Sequence, residues 1–157
     1  MSILNKYQNF YFIGIGGIGM SALARFFHAN GKNVLGYDKT ATKLTAQLGF
    51  EGIDISFEDV IDEKIIAFDK ESTLVIYTPA IKKLAILDYF ASESFEILKR
   101  AKVLGLITEN TDCIAVAGTH GKTTTSTLIA HLCKEANLPS SAFLGGIAEN
   151  FKSNFAY

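Results

Sequence analysis

A glycine-rich turn at residues 10–22, FYFIGIGGIGMSA, is the feature that most constrains how this chain can fold. The apolar run before the glycines predicts a buried strand, and the apolar residues that recur from Ile18 predict a helix that ends near Gly31. NVLGYD, at 33–38, predicts a second strand. A strand, a glycine turn, a helix and a strand within about 30 residues form a parallel crossover unit.

Strands and helices continue to alternate as far as residue 108. Helices are predicted over 40–49, 84–94 and 99–108, and strands over 51–55, 72–80 and 95–98. Ser56 and Asp59 resemble a capping box, which predicts a further short helix after them. This alternation predicts an α/β fold with a Rossmann-like parallel sheet and helices on both faces.

A second unit is predicted to begin after a polar hinge at 106–112, LITENTD. CIAVAG at 113–118 predicts its first strand, and AGTHGKTTT leads from this strand into a helix that Asn137 and Pro139 close. SAFLGG, at 141–146, predicts another strand. The segment after Gly146 is expected to be disordered because its partner strands are absent.

The first glycine turn has the spacing G-x-G-x-x-G through Gly14, Gly16 and Gly19. Glycines allow a sharp turn and let the backbone approach a pyrophosphate, whose charge the helix N-terminus stabilises. Asp38, at the end of the second strand, is placed to accept a ribose hydroxyl. The turn therefore predicts a site for a diphosphate-containing nucleotide, either NAD or a nucleotide sugar. The alternatives are glycines that only allow tight packing, and an Asp38 that only caps a helix.

The second loop predicts a nucleoside triphosphate site. Its backbone amides would hold the phosphates, Lys122 would neutralise the β and γ groups, and Thr123 would offer its hydroxyl to Mg²⁺. The usual motif would have its first glycine at Val116, whereas here it comes at Gly118. His120 could contact the nucleotide or only shape the turn.

Composition excludes several other classes of protein. A formal net charge of −1 argues against nucleic-acid binding, and no apolar run is long enough to span a membrane, so a cytoplasmic location is expected. Cys113 and Cys133 lack the spacing of a metal or redox pair, which favours buried free thiols. His28 and His131 are expected to be solvated side chains on helix surfaces.

G-I-G-G-I-G-M-S followed about 100 residues later by G-T-H-G-K-T-T-T resembles the pattern of the Mur ligases. The resemblance spans essentially the whole chain and accounts for Val116, since G-T-x-G-K-T-[TS] is the form of the loop in that family. It implies a UDP-substrate-binding domain at 1–107 and the truncated start of a central P-loop ATPase domain at 108–157. A third module, which brings the amino acid, would be absent.

The resemblance also implies roles for individual residues. The UDP substrate would be bound by Gly14, Gly16, Gly17, Ile18, Gly19, Met20, Asp38, Thr78 and Pro79. ATP would be bound by Gly118, Thr119, His120, Gly121, Lys122, Thr123 and Thr124, with Lys122 and Thr123 as catalytic residues and Thr123 as a Mg²⁺ ligand. FLGGIAENF resembles a family segment near the muramoyl group.

The activity implied by the resemblance is the ATP-dependent joining of L-alanine to the lactyl carboxylate of UDP-N-acetylmuramate through an acyl phosphate, a step of peptidoglycan synthesis. The acidic Mg²⁺ ligands and the alanine pocket would lie beyond Tyr157, so the chain is expected to bind the UDP substrate without ligase activity. The oligomeric state is left open. Three alternative functions remain: the related ligase that attaches a recycled tripeptide, an NAD-dependent oxidoreductase domain, and a P-loop switch or transport ATPase.

Overall fold

A computed structural model describes residues 3–81, 83–109 and 111–157. The strands are β1 (Asn9–Ile13), β2 (Asn33–Tyr37), β3 (Asp54–Ser56), β4 (Thr73–Tyr77), β5 (Glu96–Lys99), β6 (Ala142–Ala148) and β7 (Ser153–Ala156). The helices are α1 (Ile3–Lys6), α2 (Ile18–Ala29), α3 (Lys43–Phe50), α4 (Glu63–Ile66), α5 (Ala85–Ser92), α6 (Arg100–Thr108) and α7 (Lys122–Glu135). Among the helices in these ranges, none has both the length and the apolar content that crossing a bilayer requires.

The first five strands form one parallel sheet in the order β3-β2-β1-β4-β5. Alternate residues of the central strands point to opposite faces: Phe10 and Phe12 of β1 pack with α2, whereas Tyr11 and Ile13 pack with α4 and α5. A sheet buried on both faces needs near-continuous apolar strands, and β1 supplies one. The predicted α/β fold with helices on both faces is confirmed.

The predicted capping box is wrong. Ser56 lies in β3, and the next helix, α4, begins after Asp62, whose carboxylate accepts from the N–H of the third residue in that helix at 2.9 Å. Asp59 instead caps α5 from a distance, because its carboxylate accepts from the backbone N–H groups of Ala85 at 2.8 Å and Ile86 at 2.9 Å. A cap supplied across 26 residues of sequence has no local pattern that could reveal it.

The junction between the two predicted units also differs from expectation. Helix α6 continues to Thr108 and buries Ile107, so residues 106–108 are not part of a hinge. The predicted strand at 113–118 is wrong: it is mostly exposed and pairs with no strand in the described ranges. A β-prone run becomes a strand only where a neighbouring strand satisfies its backbone N–H and C=O groups.

The segment after Gly146 is ordered, contrary to expectation. Strand β6 confirms the strand predicted at 141–146, and it pairs with β7 as an antiparallel hairpin. Phe143 and Phe155 of this hairpin pack against Phe26 of α2, with ring centroids 5.4 and 6.2 Å away. The tail is therefore ordered by two partners, strand β6 and helix α2 of the first unit.

Buried polar groups also hold the hairpin to α2. Asn154 of β7 is fully buried; its side-chain oxygen accepts from the guanidinium of Arg25, and its amide donates to Ser21 Oγ at 2.8 Å and to the carbonyl oxygen of Ile18. The guanidinium of Arg25 also donates to both carboxylate oxygens of Glu51, at 2.7 and 2.8 Å. Each polar group of this cluster thus has a partner, as burial requires.

Candidate functional site

The first glycine turn leaves β1 through a left-handed backbone at Gly14, whose φ is 86°. The N–H groups of Gly14 and Ile15 donate to the carbonyl oxygen of Tyr37 at 2.7 and 3.0 Å, which anchors the turn to the end of β2. A φ in this range is strained for residues with a side chain. The sequence motif thus has the strand–turn–helix context that it requires.

Helix α2 begins directly after the turn without a side-chain cap. Gly17 is its N-cap residue in an extended conformation, and the first N–H to find an acceptor is that of Ser21, which donates to the Gly17 carbonyl oxygen at 2.8 Å. In the ranges that the structure describes, the N–H groups of Ile18, Gly19 and Met20 have no protein acceptor. Three free amides at the positive end of a helix suit an oxyanion.

Asp38 is bound into the glycine turn itself. Its carboxylate accepts from the N–H of Gly16 at 2.7 Å and from that of Thr40 at 3.0 Å. A Cβ atom at position 16 would lie 2.8 Å from this carboxylate and 2.8 Å from Thr45 Cγ2, so only glycine fits there. The helix-cap alternative for Asp38 is wrong, because the side chain of Thr42 caps α3. A contact from Asp38 to the ligand stays a prediction.

Thr78 lies across from the glycine turn, at the end of β4. A Cβ atom at Gly14 would be 3.2 Å from Thr78 Cγ2, so the two segments are in contact, with Pro79 exposed beside them. Between β1 and β4 the strand order reverses, and open parallel sheets bind ligands outside the carboxyl ends of their strands at such a point. The residues predicted for the UDP substrate therefore lie together at the carboxyl edge of the sheet.

A separate groove of about 520 Å³ runs between α3 and β3. Thr42, Thr45, Ile55 and Phe57 are among the residues that line it, and none of the residues predicted for the UDP substrate does so. Because Thr45 also contacts Gly16, the groove lies next to the glycine turn.

The second loop turns through positive φ angles at Gly118 (150°) and Gly121 (76°) and starts α7 at Lys122. The Lys122 ammonium donates to the carbonyl oxygens of Gly118 and Thr119, the latter at 3.1 Å. An ammonium has three donors, so one is left for a ligand. Gly121 caps α7 without a side chain, and the loop is exposed, so the amides of Lys122, Thr123 and Thr124 face an open surface.

Thr123 also touches the hairpin. A Cβ atom at Gly145 of β6 would lie 3.0 Å from Thr123 Oγ1, so the glycines of the FLGG segment leave room for the hydroxyl. In the ranges described, no group of three His, Cys, Asp or Glu side chains is placed to hold a metal ion. Within the described residues, the Thr123 hydroxyl would therefore be a Mg²⁺ ligand without a cluster of carboxylates beside it. His120 is exposed, and its two predicted roles stay open.

The thiols and the other histidines lie outside these loops. Cys113 and Cys133 are free, but Cys113 is exposed, so its predicted burial is wrong. The segment 113–118 that contains Cys113 forms no strand and is mostly exposed. His28 is exposed and the side chain of His131 is 44% exposed, as expected for solvated histidines.

Sequence reasoning missed Arg100, the first residue of α6. A Cβ atom at Gly19 would lie 2.7 Å from Arg100 Nη1, so the guanidinium rests against the second residue of α2. Arg100 lies far from the glycine turn in sequence, but it directly follows β5 at the carboxyl edge of the sheet. That placement was the signal that could have identified it.

The family model described as "Mur ligase family, catalytic domain" matches residues 9–111. The UDP-N-acetylmuramate–L-alanine ligase of Christiangramia forsetii is 49% identical over 98% of this chain, which covers 35% of that relative. The chain thus spans about a third of the length of the curated relatives that it matches.

Two solved structures share the fold. The UDP-N-acetylmuramate-alanine ligase of Thermotoga maritima has a TM-score of 0.81 at 34% identity, over 94% of this chain and 34% of its own. The UDP-N-acetylmuramate:L-alanyl-gamma-D-glutamyl-meso-diaminopimelate ligase of Neisseria meningitides has a TM-score of 0.79 at 25% identity, over 95% of this chain and 46% of its own.

Proposed function

This chain belongs to the Mur ligase family, and we propose that it forms the UDP-substrate module and the front of the ATP module of a ligase that joins L-alanine to UDP-N-acetylmuramate. The glycine turn at residues 14–20 binds the diphosphate of the UDP substrate. The loop at 118–124 binds ATP. On this proposal residues 1–107 and 108–157 divide the chain between the two ligands.

The observation that carries this proposal is the pair of glycine-containing turns, each of which opens a helix whose first-turn amides have no protein acceptor in the described ranges. An NAD-dependent oxidoreductase would use the first turn and leave the second without a role, and a P-loop switch would do the reverse. A ligase that activates one substrate with the phosphate of another needs both.

The proposed chemistry has two steps. The lactyl carboxylate attacks the γ-phosphorus of ATP and releases ADP, and the amine of L-alanine then attacks the acyl phosphate and releases inorganic phosphate. Lys122 stabilises the charge on the phosphates, and Thr123 offers an oxygen to Mg²⁺, which when bound would neutralise further phosphate charge. The loop's task is to hold the phosphates in line with the attacking oxygen.

Sequence identity supports the L-alanine ligase over the tripeptide ligase. Curated relatives named as L-alanine ligases are 48–55% identical to this chain, and a solved structure with that name is 34% identical. The two solved structures named as tripeptide-attaching or murein peptide ligases are 25% and 28% identical. We therefore propose L-alanine as the amino acid, and the tripeptide as the alternative.

Thermal-shift titration of the chain with UDP-N-acetylmuramate, NADH and ATP, each separately, tests the proposal. A ligand that binds only the folded state raises the melting temperature, by an amount that corresponds to about 2.7 kcal/mol at 100 times its Kd. We expect UDP-N-acetylmuramate to stabilise the chain and NADH to leave it unchanged. Stabilisation by NADH alone would refute the proposal.

Ligase turnover is a separate test. Because the chain spans about a third of its relatives, we expect no alanine-dependent release of phosphate from residues 1–157. Release that depends on both L-alanine and UDP-N-acetylmuramate would show that the third module is not needed.

A further inference from the structure

Within the described residues, Arg100 differs from the other arginine of the chain in having no anionic side chain as a partner. The sequence contains two arginines, Arg25 and Arg100. Arg25 is buried and donates to Glu51 and Asn154. In the ranges that the structure describes, the guanidinium of Arg100 forms no ion pair and no hydrogen bond, although the residue is half-buried. A guanidinium carries five donors and stays charged, so this position favours an anion.

The place where Arg100 lies identifies the kind of anion. Its Nη1, Cζ and Cδ atoms lie 2.7, 3.0 and 3.1 Å from where a Cβ atom at Gly19 would be. Gly19 belongs to the first turn of α2, beside the amides of Ile18 and Met20 that have no protein acceptor in the described ranges. A positive charge and three free amides thus lie together at the N-terminus of α2.

This arrangement also explains the third glycine of the motif. Gly19 has an ordinary helical backbone, so it is not required by a positive φ. A methyl group there would displace the guanidinium, which is the far end of a flexible side chain. The glycine therefore leaves room for Arg100 at the N-terminal end of α2.

We infer that Arg100 is a binding residue for the diphosphate of the UDP substrate. Its guanidinium, which Gly19 leaves room for, contacts the diphosphate from α6, and the first-turn amides of α2 contact the same group. This inference rests on the proposed function. Arginine suits the task because its planar donors can bind two phosphate oxygens at once, which the point charge of lysine cannot do.

Binding of UDP and of uridine to the chain, measured by calorimetry, separates phosphate recognition from base and ribose recognition. We expect Arg100→Ala to weaken UDP binding about 10- to 150-fold, the usual effect of losing a charge-assisted contact, and to leave uridine binding unchanged. Arg100→Lys should recover part of the loss. Lys102→Ala is the matched control, because it removes an exposed positive charge from the same helix and should change neither affinity.

A double-mutant cycle tests the role of Gly19. Gly19→Ala should weaken UDP binding in the wild-type background, since the methyl group displaces the guanidinium. In the Arg100→Ala background the same change should have a much smaller effect, because the displaced group is already gone. Equal effects in both backgrounds would show that Gly19 acts independently of Arg100.

Protection from phenylglyoxal, which labels guanidinium groups, gives a readout that needs no variant. Arg25 is buried and paired, so Arg100 is the arginine available to the reagent. Saturating UDP should slow labelling of Arg100, and uridine should not. Unchanged labelling under UDP, or equal UDP affinity in wild type and Arg100→Ala, would overturn the inference. Failure of the wild-type chain to bind either UDP or UDP-N-acetylmuramate would instead overturn the proposed function.

Discussion

Asn154→Ala tests whether the β6–β7 hairpin is held to α2 by its buried polar cluster. The substitution removes the amide that contacts Arg25, Ser21 and Ile18 while leaving the aromatic contacts of the hairpin in place. It should therefore loosen the hairpin without unfolding the parallel sheet. Local opening of this kind is measurable because stability is not uniform across a fold.

The magnitude follows from the three hydrogen bonds that are lost. The contact with the guanidinium of Arg25 contributes about 1.5–3 kcal/mol, and the two neutral contacts about 0.5–1.5 kcal/mol each. Water that enters the space would replace part of this. We expect a net loss of about 2–4 kcal/mol, which raises the population of the undocked hairpin about 30- to 900-fold.

Native-state hydrogen exchange of the β7 amides measures that population directly. Glu149→Ala is the matched control, since it removes an exposed side chain of the same hairpin whose ion pair with Lys152 contributes little. The amides of β1 should keep their protection in both variants. Equal exchange from β7 in Asn154→Ala and Glu149→Ala would refute the reasoning.

Three further predictions concern the loops and pH. Gly16→Ala should destabilise the chain by about 1–3 kcal/mol and abolish UDP binding, because its methyl group would lie 2.8 Å from a carboxylate; Gly105→Ala, where no atom lies within 4 Å of the added methyl group, should do neither. Hydrogen bonds from Lys6 and from a neighbouring tyrosine hydroxyl lower the pKa of Glu96, so the stability that they contribute is present above its ordinary pKa of 4.5 and is lost as pH falls further. Glu96→Gln should flatten the acid side of the curve of unfolding free energy against pH, by at most about 1 kcal/mol because the carboxylate is exposed. Lys122→Ala should weaken ATP binding about 10- to 150-fold in a chain that carries the complete ATP module, and an unchanged Kd would contradict the role given to that lysine.

The parallel sheet could be predicted because each of its units carries its own local signals. The strand before Gly14 is continuously apolar, and the helix after it ends at Ala29, two residues before Gly31, whose φ is 72°. Where the structure depends on distant partners, local patterns failed. Asp59 caps α5 from another loop, the run at 113–118 lacks a neighbouring strand in the described ranges, and the tail packs on α2.

The candidate site shows the same division. The glycine positions follow from the motif, because a positive φ at Gly14 and the close approach at Gly16 are backbone requirements. Arg100 could not be found from a motif, since the topology of the sheet, rather than proximity in sequence, brings it to Gly19. The polar link between Asn154 and Arg25 likewise joins residues with no shared pattern.

The docking of the hairpin on α2 bears on where this chain could be divided. Phe155 belongs to the same buried cluster as Phe26 and Phe10, so the apolar core of the parallel sheet extends into the last residues of the chain. A shorter protein ending at residue 107 would retain all five parallel strands yet expose an aromatic face of α2 to water and deprive Arg25 of one partner. A protein that ends at residue 107 should therefore aggregate more readily and be less soluble than the 157-residue chain.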